Sequence, residues 1–154
     1  MDDLTKQPNS QKCFVCGMEN SIGLRQSFYQ DSTGRVVATF TPRDEHQGYP
    51  GLLHGGIAAT LLDEVMGRAA IAKGLWLMTI RMEVHYERMV PLDQPLTVVG
   101  EIVRETRRLV EAKGEIRLSD GNVAVTAKAD FLPAPKDMLN EREQALGYWK
   151  VIPD

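Results

Sequence analysis

The chain has 154 residues, enough for one domain with a real core and too few for two. Its 43% apolar and 25% charged residues exclude a disordered or collagen-like chain, and 18 Lys and Arg against 21 Asp and Glu leave a net charge of -3, so no nucleic acid is an expected partner. No apolar run is long enough to span a bilayer, and the opening MDDLTKQPNSQK has neither the basic nor the apolar region of a signal peptide, so no membrane partner and a cytoplasmic location are expected.

In chain order, residues 1–12 are polar and read as a flexible N-terminal arm. Cys13 and Cys16 follow as the only cysteines. Residues 24–31 and 35–41 alternate as two strands, with Asp31, Ser32, Thr33 and Gly34 as the turn of a first hairpin. Residues 54–73 carry the helical period, with Ile57, Ala58, Leu61, Val65, Ala69 and Ala72 in one stripe and Gly74 as C-cap. From Trp76 to Tyr86 the even positions are apolar and Thr79, Arg81, Glu83 and His85 are polar, the pattern of a half-buried strand. Strands follow at 96–104, 109–119 and 123–131, the last two joined by Asp120-Gly121, a hairpin dipeptide. A weaker helical pattern covers 137–147.

Connections this short join antiparallel neighbours. The predicted class is α+β, an antiparallel six-stranded sheet around one long helix, with the domain at 13–134 and a C-terminal extension at 135–154. One helix cannot cover such a sheet, so a homo-oligomer is expected.

The other helix face brings Gly56, Ala59, Asp63, Gly67 and Ala70 together, a carboxylate in a row of residues with almost no side chain. Asp63 has no cation three or four residues away, whereas Glu64 has Arg68 at i+4 and reads as half of a surface ion pair. By composition alone Asp63 is an ordinary solvated carboxylate. His54-Gly55-Gly56 changes that reading, because paired glycines are poor helix formers and something should offset their cost. A helix start offers unpaired N–H groups and the positive dipole end, and glycine lets a carbonyl oxygen reach them, which makes an oxyanion hole at Gly55. The spacing to Asp63 suits attack on an extended ester or thioester lying in a groove.

HQGYPGLLHGGIAATLLDEVMGRA, followed by TIRMEVHYERMVPLDQPL and preceded by CFVCGMENSIGL, resembles the hotdog-fold acyl-CoA thioesterases of the phenylacetate-pathway type, within the hydroxybenzoyl-CoA thioesterase superfamily. The resemblance runs from about Cys13 to Phe131 and implies a hotdog fold, a homodimer or a homotetramer as a dimer of dimers, and sites between subunits. It implies Asp63 as the catalytic carboxylate, the Gly55 amide as donor to the thioester carbonyl, and Thr79 as the residue orienting the attacking water. His54 and Gly56 fall at the helix entry. Gly48 stands where several relatives carry a substrate-holding Asn, for which Gln47 or His46 would compensate. CoA would lie along Tyr86 to Pro91 and Arg104 to Leu109, with Arg88, Arg104, Arg107 and Arg108 as phosphate partners. CoA is part of the substrate, and no separate cofactor is implied.

Cys13-Phe14-Val15-Cys16 lacks a second CxxC, so no metal site is expected. No GxSxG elbow is present for a serine triad. Met66 and Met89 are candidate walls of an acyl pocket. The chain is thus expected to be a thioester hydrolase; a non-catalytic acyl-CoA-binding module and a dehydratase or hydratase are the alternatives.

Overall fold

A computed structural model describes residues 3–138 and 148–154; the helix expected at 137–147 falls almost wholly outside the described residues. The arm does not behave as a loose one. β1 (Thr5–Lys6) adds to the edge of the main sheet beside β3 (Tyr29–Gln30), and β2 (Asn9–Ser10) pairs with β9 (Trp149–Lys150). Gln7, Asn9 and Ser10 are buried there. Their amides satisfy backbone carbonyls: Gln7 Nε2 donates to Arg68 O, and Asn9 Nδ2 to Cys16 O and Gln26 O. Composition cannot reveal this, because the polar side chains replace missing main-chain partners.

The first hairpin pairs β3 with β4 (Val36–Phe40). β3 is much shorter than the expected strand at 24–31 because Arg25 takes a left-handed φ of 50° and the chain turns to pair elsewhere, Leu24 N–H with Phe14 O and Gln26 N–H with Val15 O. β5 (Leu77–Tyr86), β6 (Leu96–Glu105), β7 (Val110–Arg117) and β8 (Val123–Pro133) follow. The sheet is antiparallel and seven-stranded, in the order β1-β3-β4-β6-β7-β8-β5, against the six strands expected.

Helix α1 (Gly55–Arg68) lies against this sheet. Ala58, Leu61, Val65 and Ala69 of the expected stripe are buried, and Leu62 and Met66 widen it. Met66 is therefore part of the core. The helix ends earlier than expected, passing into a short 3-10 turn (Ile71–Lys73) that Gly74 closes at φ 72°, so Ala72 is exposed. Gly100 and Gly114 face each other across β6 and β7, beneath α1. A β-carbon on Gly100 would stand 2.6 Å from Val65 O, so glycine lets the helix backbone rest directly on the sheet. Among the described residues no helix is long and apolar enough to cross a membrane.

The long strand holds the feature that places the site. Opposite β8, Thr79 pairs with Phe131 and Arg81 with Asp130, so Ile80 is an extra residue and the alternation changes phase there. Met82 and Val84 pack on the core after the irregularity, and Leu77 does so before it, while Met78 and Ile80 are exposed at 37% and 54%. The uniform even-residue apolar face expected for this strand does not exist.

Candidate active site

Helix α1 starts from His54, whose backbone is extended (φ -62°, ψ 130°). Its Nδ1 accepts from Gly56 N–H at 2.9 Å, and its carbonyl accepts from Ile57 N–H at 3.0 Å and Ala58 N–H at 3.2 Å. Histidine thus caps this helix, using three of its first four N–H groups. Among the described residues the Gly55 N–H has no acceptor. It is an open donor at the positive end of a 14-residue helix. Gly55 also lines a cavity of about 800 Å³, together with Tyr49, Leu52, Tyr86, Arg88 and Met89. Tyr86 Oη donates to Gly55 O at 2.7 Å, tying the end of β5 to the first turn of the helix.

Two turns further along, Thr79 Oγ1 donates to Asp63 Oδ1 at 2.6 Å. The strand irregularity makes this bond possible, because it puts Thr79 on the helix side of β5. Simple parity with Arg81 and Glu83 would have pointed it away. Asp63 and Thr79 line a second cavity, of about 200 Å³, whose walls also include Cys13, Cys16, Glu64 and Leu77. The two cavities share no lining residue. Eight residues of helix separate Gly55 from Asp63, a rise of about 12 Å. Within one chain the open N–H and the carboxylate are too far apart to act on one carbonyl.

The other expected site residues are spread more widely. Gly56 has its N–H taken by His54, so it cannot polarise a substrate. Gln47 Oε1 accepts from Gly51 N–H and shapes the 47–53 loop, outside the cavity lining. His46 is buried, with Nδ1 accepting from Arg43 N–H, and burial holds its pKa below the usual histidine value. Gly48 itself lines the large cavity, whereas Gln47 and His46 do not. Arg88 faces the large cavity. Arg104 is paired with Glu111, and Arg107 and Arg108 sit in the β6–β7 turn, where Thr106 Oγ1 accepts from the N–H groups of Arg108 and Leu109. None of these three lines the large cavity.

The expected Glu64–Arg68 pair forms, Arg68 Nε donating to Glu64 Oε1 at 2.7 Å, but it is no surface pair. The Arg68 side chain is 2% exposed, stacks over the Phe28 ring at 4.5 Å and donates to Pro8 O. Burial raises the Glu64 pKa, and the Arg68 charge opposes the rise. What the sequence reading missed at this end is that the Cys13–Cys16 turn packs against Glu64. A contact between residues so distant in sequence leaves no periodic signal.

Residues 50–125 match the model of the family described as the thioesterase superfamily. The acyl-coenzyme A thioesterase THEM4 of Rattus norvegicus is 29% identical over 106 residues, which make up 68% of this chain and 46% of that protein. The chain spans about half the length of the curated relatives it matches. Among solved structures, a thioesterase superfamily protein superposes with a TM-score of 0.74 at 36% identity, over 78% of this chain and 59% of that one. A hypothetical thioesterase protein from Streptococcus pneumoniae, solved with coenzyme A, superposes with a TM-score of 0.64 at 28% identity, over 68% and 83% of the two chains. The family match runs across α1, the open Gly55 N–H, Asp63, Thr79 and strands β5 to β7. The match to the thioesterase superfamily covers just under half of the chain, and the sheet curled around α1 is the hotdog fold.

Proposed function

We propose that the chain hydrolyses acyl-CoA thioesters to free acid and CoA, at sites shared between two copies. The open Gly55 N–H carries the reading: a donor left unpaired at a helix start, facing a large cavity, suits a carbonyl oxygen on which charge develops. The acyl-CoA thioesterase name of the curated relatives and the CoA in the pneumococcal structure support the substrate class. The carboxylate of Asp63, held by Thr79, takes a proton from water, and the hydroxide attacks the thioester carbon. The oxyanion accepts from Gly55 N–H; collapse breaks the C–S bond, and the CoA thiolate leaves and takes up a proton. Arg88, which lines the large cavity with Met89, would pair with a CoA phosphate. Asp63 also favours hydrolysis over an acyl-CoA-binding module, which needs no such carboxylate. Because His54 Nδ1 is committed to its cap, it is not a free base for a dehydratase.

The gap between Gly55 and Asp63 implies a partner subunit. β5 is the outer strand of the sheet, with Met78 and Ile80 exposed on it, so two copies can join β5 to β5 across a twofold axis and bring one subunit's Gly55 toward the other's Asp63. A dimer, or a dimer of dimers, is the assembly this favours. Two free, unbridged cysteines fit the reducing cytoplasm.

Coexpression of Asp63→Asn and Gly55→Val chains tests both parts. Each variant alone should release almost no thiol from acyl-CoA. Random pairing makes half of the dimers mixed, each with one intact site, so activity should return to about a quarter of wild type. Wild-type turnover by Asp63→Asn would overturn the hydrolytic role, and a mixture that stays inactive would overturn the shared site.

A further inference from the structure

The motif that hydrolysis leaves unused is Cys13-Phe14-Val15-Cys16-Gly17. It forms a tight turn: Gly17 N–H donates to Cys13 O at 2.8 Å, and a β-carbon on Gly17 would lie 2.4 Å from that same oxygen, so only glycine fits. The turn is fastened from outside as well. Asn9 Nδ2 donates to Cys16 O, Cys13 N–H donates to Ser10 Oγ, and Ser10 Oγ lies 3.4 Å from Cys16 Sγ. Both thiols are thereby turned inward against α1, with Cys16 2% exposed. There they meet Glu64, and the two sulfurs and a carboxylate oxygen all lie within 4.8 Å of one another.

We propose that Cys13, Cys16 and Glu64 are the ligands of one thiophilic divalent cation, with Zn²⁺ the best fit and a fourth position open to the small cavity. Two thiolates on a tetrahedral zinc stand about 3.8 Å apart, given Zn–S bonds near 2.3 Å, so the three groups need only small side-chain rotations to close. The donor set of two sulfurs and one oxygen favours zinc over magnesium or calcium, which take oxygen alone. Arg68 plays the part of an outer-sphere partner: its Nε holds Glu64 Oε1, which orients the carboxylate and leaves the other oxygen for the metal. Charge is also balanced, because two thiolates and a carboxylate offset a divalent cation and the buried guanidinium. Metal uptake would pin residues 9–17 to the helix beside Asp63. The inference does not depend on acyl-CoA being the substrate. The chain has no second CxxC, and the third ligand comes instead from the helix.

The test is Co²⁺ titration of the full chain, stripped with chelator and kept reduced with a phosphine. One equivalent should bind, with thiolate-to-cobalt charge-transfer absorption in the near ultraviolet, and Zn²⁺ should displace it. Cys13→Ser and Cys16→Ser should weaken that absorption, and Asp63→Asn should bind as wild type does. Glu64→Gln, with both thiols kept, should bind about a hundredfold more weakly, the upper end of what even an outer-sphere partner contributes. Because the wild-type titration decides by itself, a variant that fails to fold leaves the test intact. Reduced wild-type protein that develops no charge-transfer band, or a Glu64→Gln chain that binds cobalt as tightly as wild type, would overturn the site.

Discussion

Replacing Gly55 separates catalysis from folding, because the structure lets the two effects be valued independently. Gly55 has no left-handed φ, so a side chain brings no backbone strain. A β-carbon there would lie 3.4 Å from Tyr86 Cε1 and 3.5 Å from its Cζ and Oη, which is ordinary contact. Gly55→Ala should therefore fold at least as well as wild type. It gains up to about 1 kcal/mol from helix propensity and a less free unfolded chain, or about 2–4 °C in Tm for a domain of this size. Gly55→Val adds branched bulk directly beside the nitrogen, crowding the place about 2.9 Å away that an accepting carbonyl oxygen must occupy. Blocking access to that donor should lower kcat by about two to three orders of magnitude. The assay is thiol release from acyl-CoA, read beside a thermal melt of the same preparation. A Gly55→Val chain that melts like wild type and turns over at the wild-type rate would refute the oxyanion hole at this helix start.

Gly100→Ala should destabilise far more than a methyl group suggests. The new carbon falls 2.6 Å from Val65 O and 2.7 Å from Val65 C, backbone atoms that cannot rotate away, so the helix must lift at a cost of about 1–3 kcal/mol; an unchanged urea midpoint would contradict the close approach. Asp31 gives a pH signature. The Thr33 hydroxyl, together with Arg35 and nearby backbone N–H groups, holds the carboxyl down to about 2. Because the folded pKa lies below the unfolded value near 4, the stabilisation is complete above about pH 4 and is lost as pH falls toward 2; it is worth at most about 2 kcal/mol. The difference in melting temperature between wild type and Asp31→Asn should shrink across that window, and a constant difference from pH 7 to pH 2 would refute it.

Much of this protein is local and can be read along the chain. Alternation marks β4 and β6 to β8, period 3.6 marks α1, and Asp31 and Gly121 mark the hairpin turns. The chemistry on α1 is equally local: glycines directly after a capping His54, and Asp63 with no cation within a turn, depend only on helical geometry. Other features rest on contacts between residues far apart in sequence. The extra residue at Ile80 arises from the register of β5 against β8, and it alone turns Thr79 toward Asp63, against the parity of its own strand. Polar residues of the first dozen become structural because Arg68 and β9 are there to meet them. Glu64 and Arg68 look like a surface pair because i+4 spacing says nothing about what covers them, and only the packing of Phe28 and the Cys13–Cys16 turn over that face makes them interior. Periodicity records which way a side chain leaves its own element; what it meets there depends on the path of the rest of the chain.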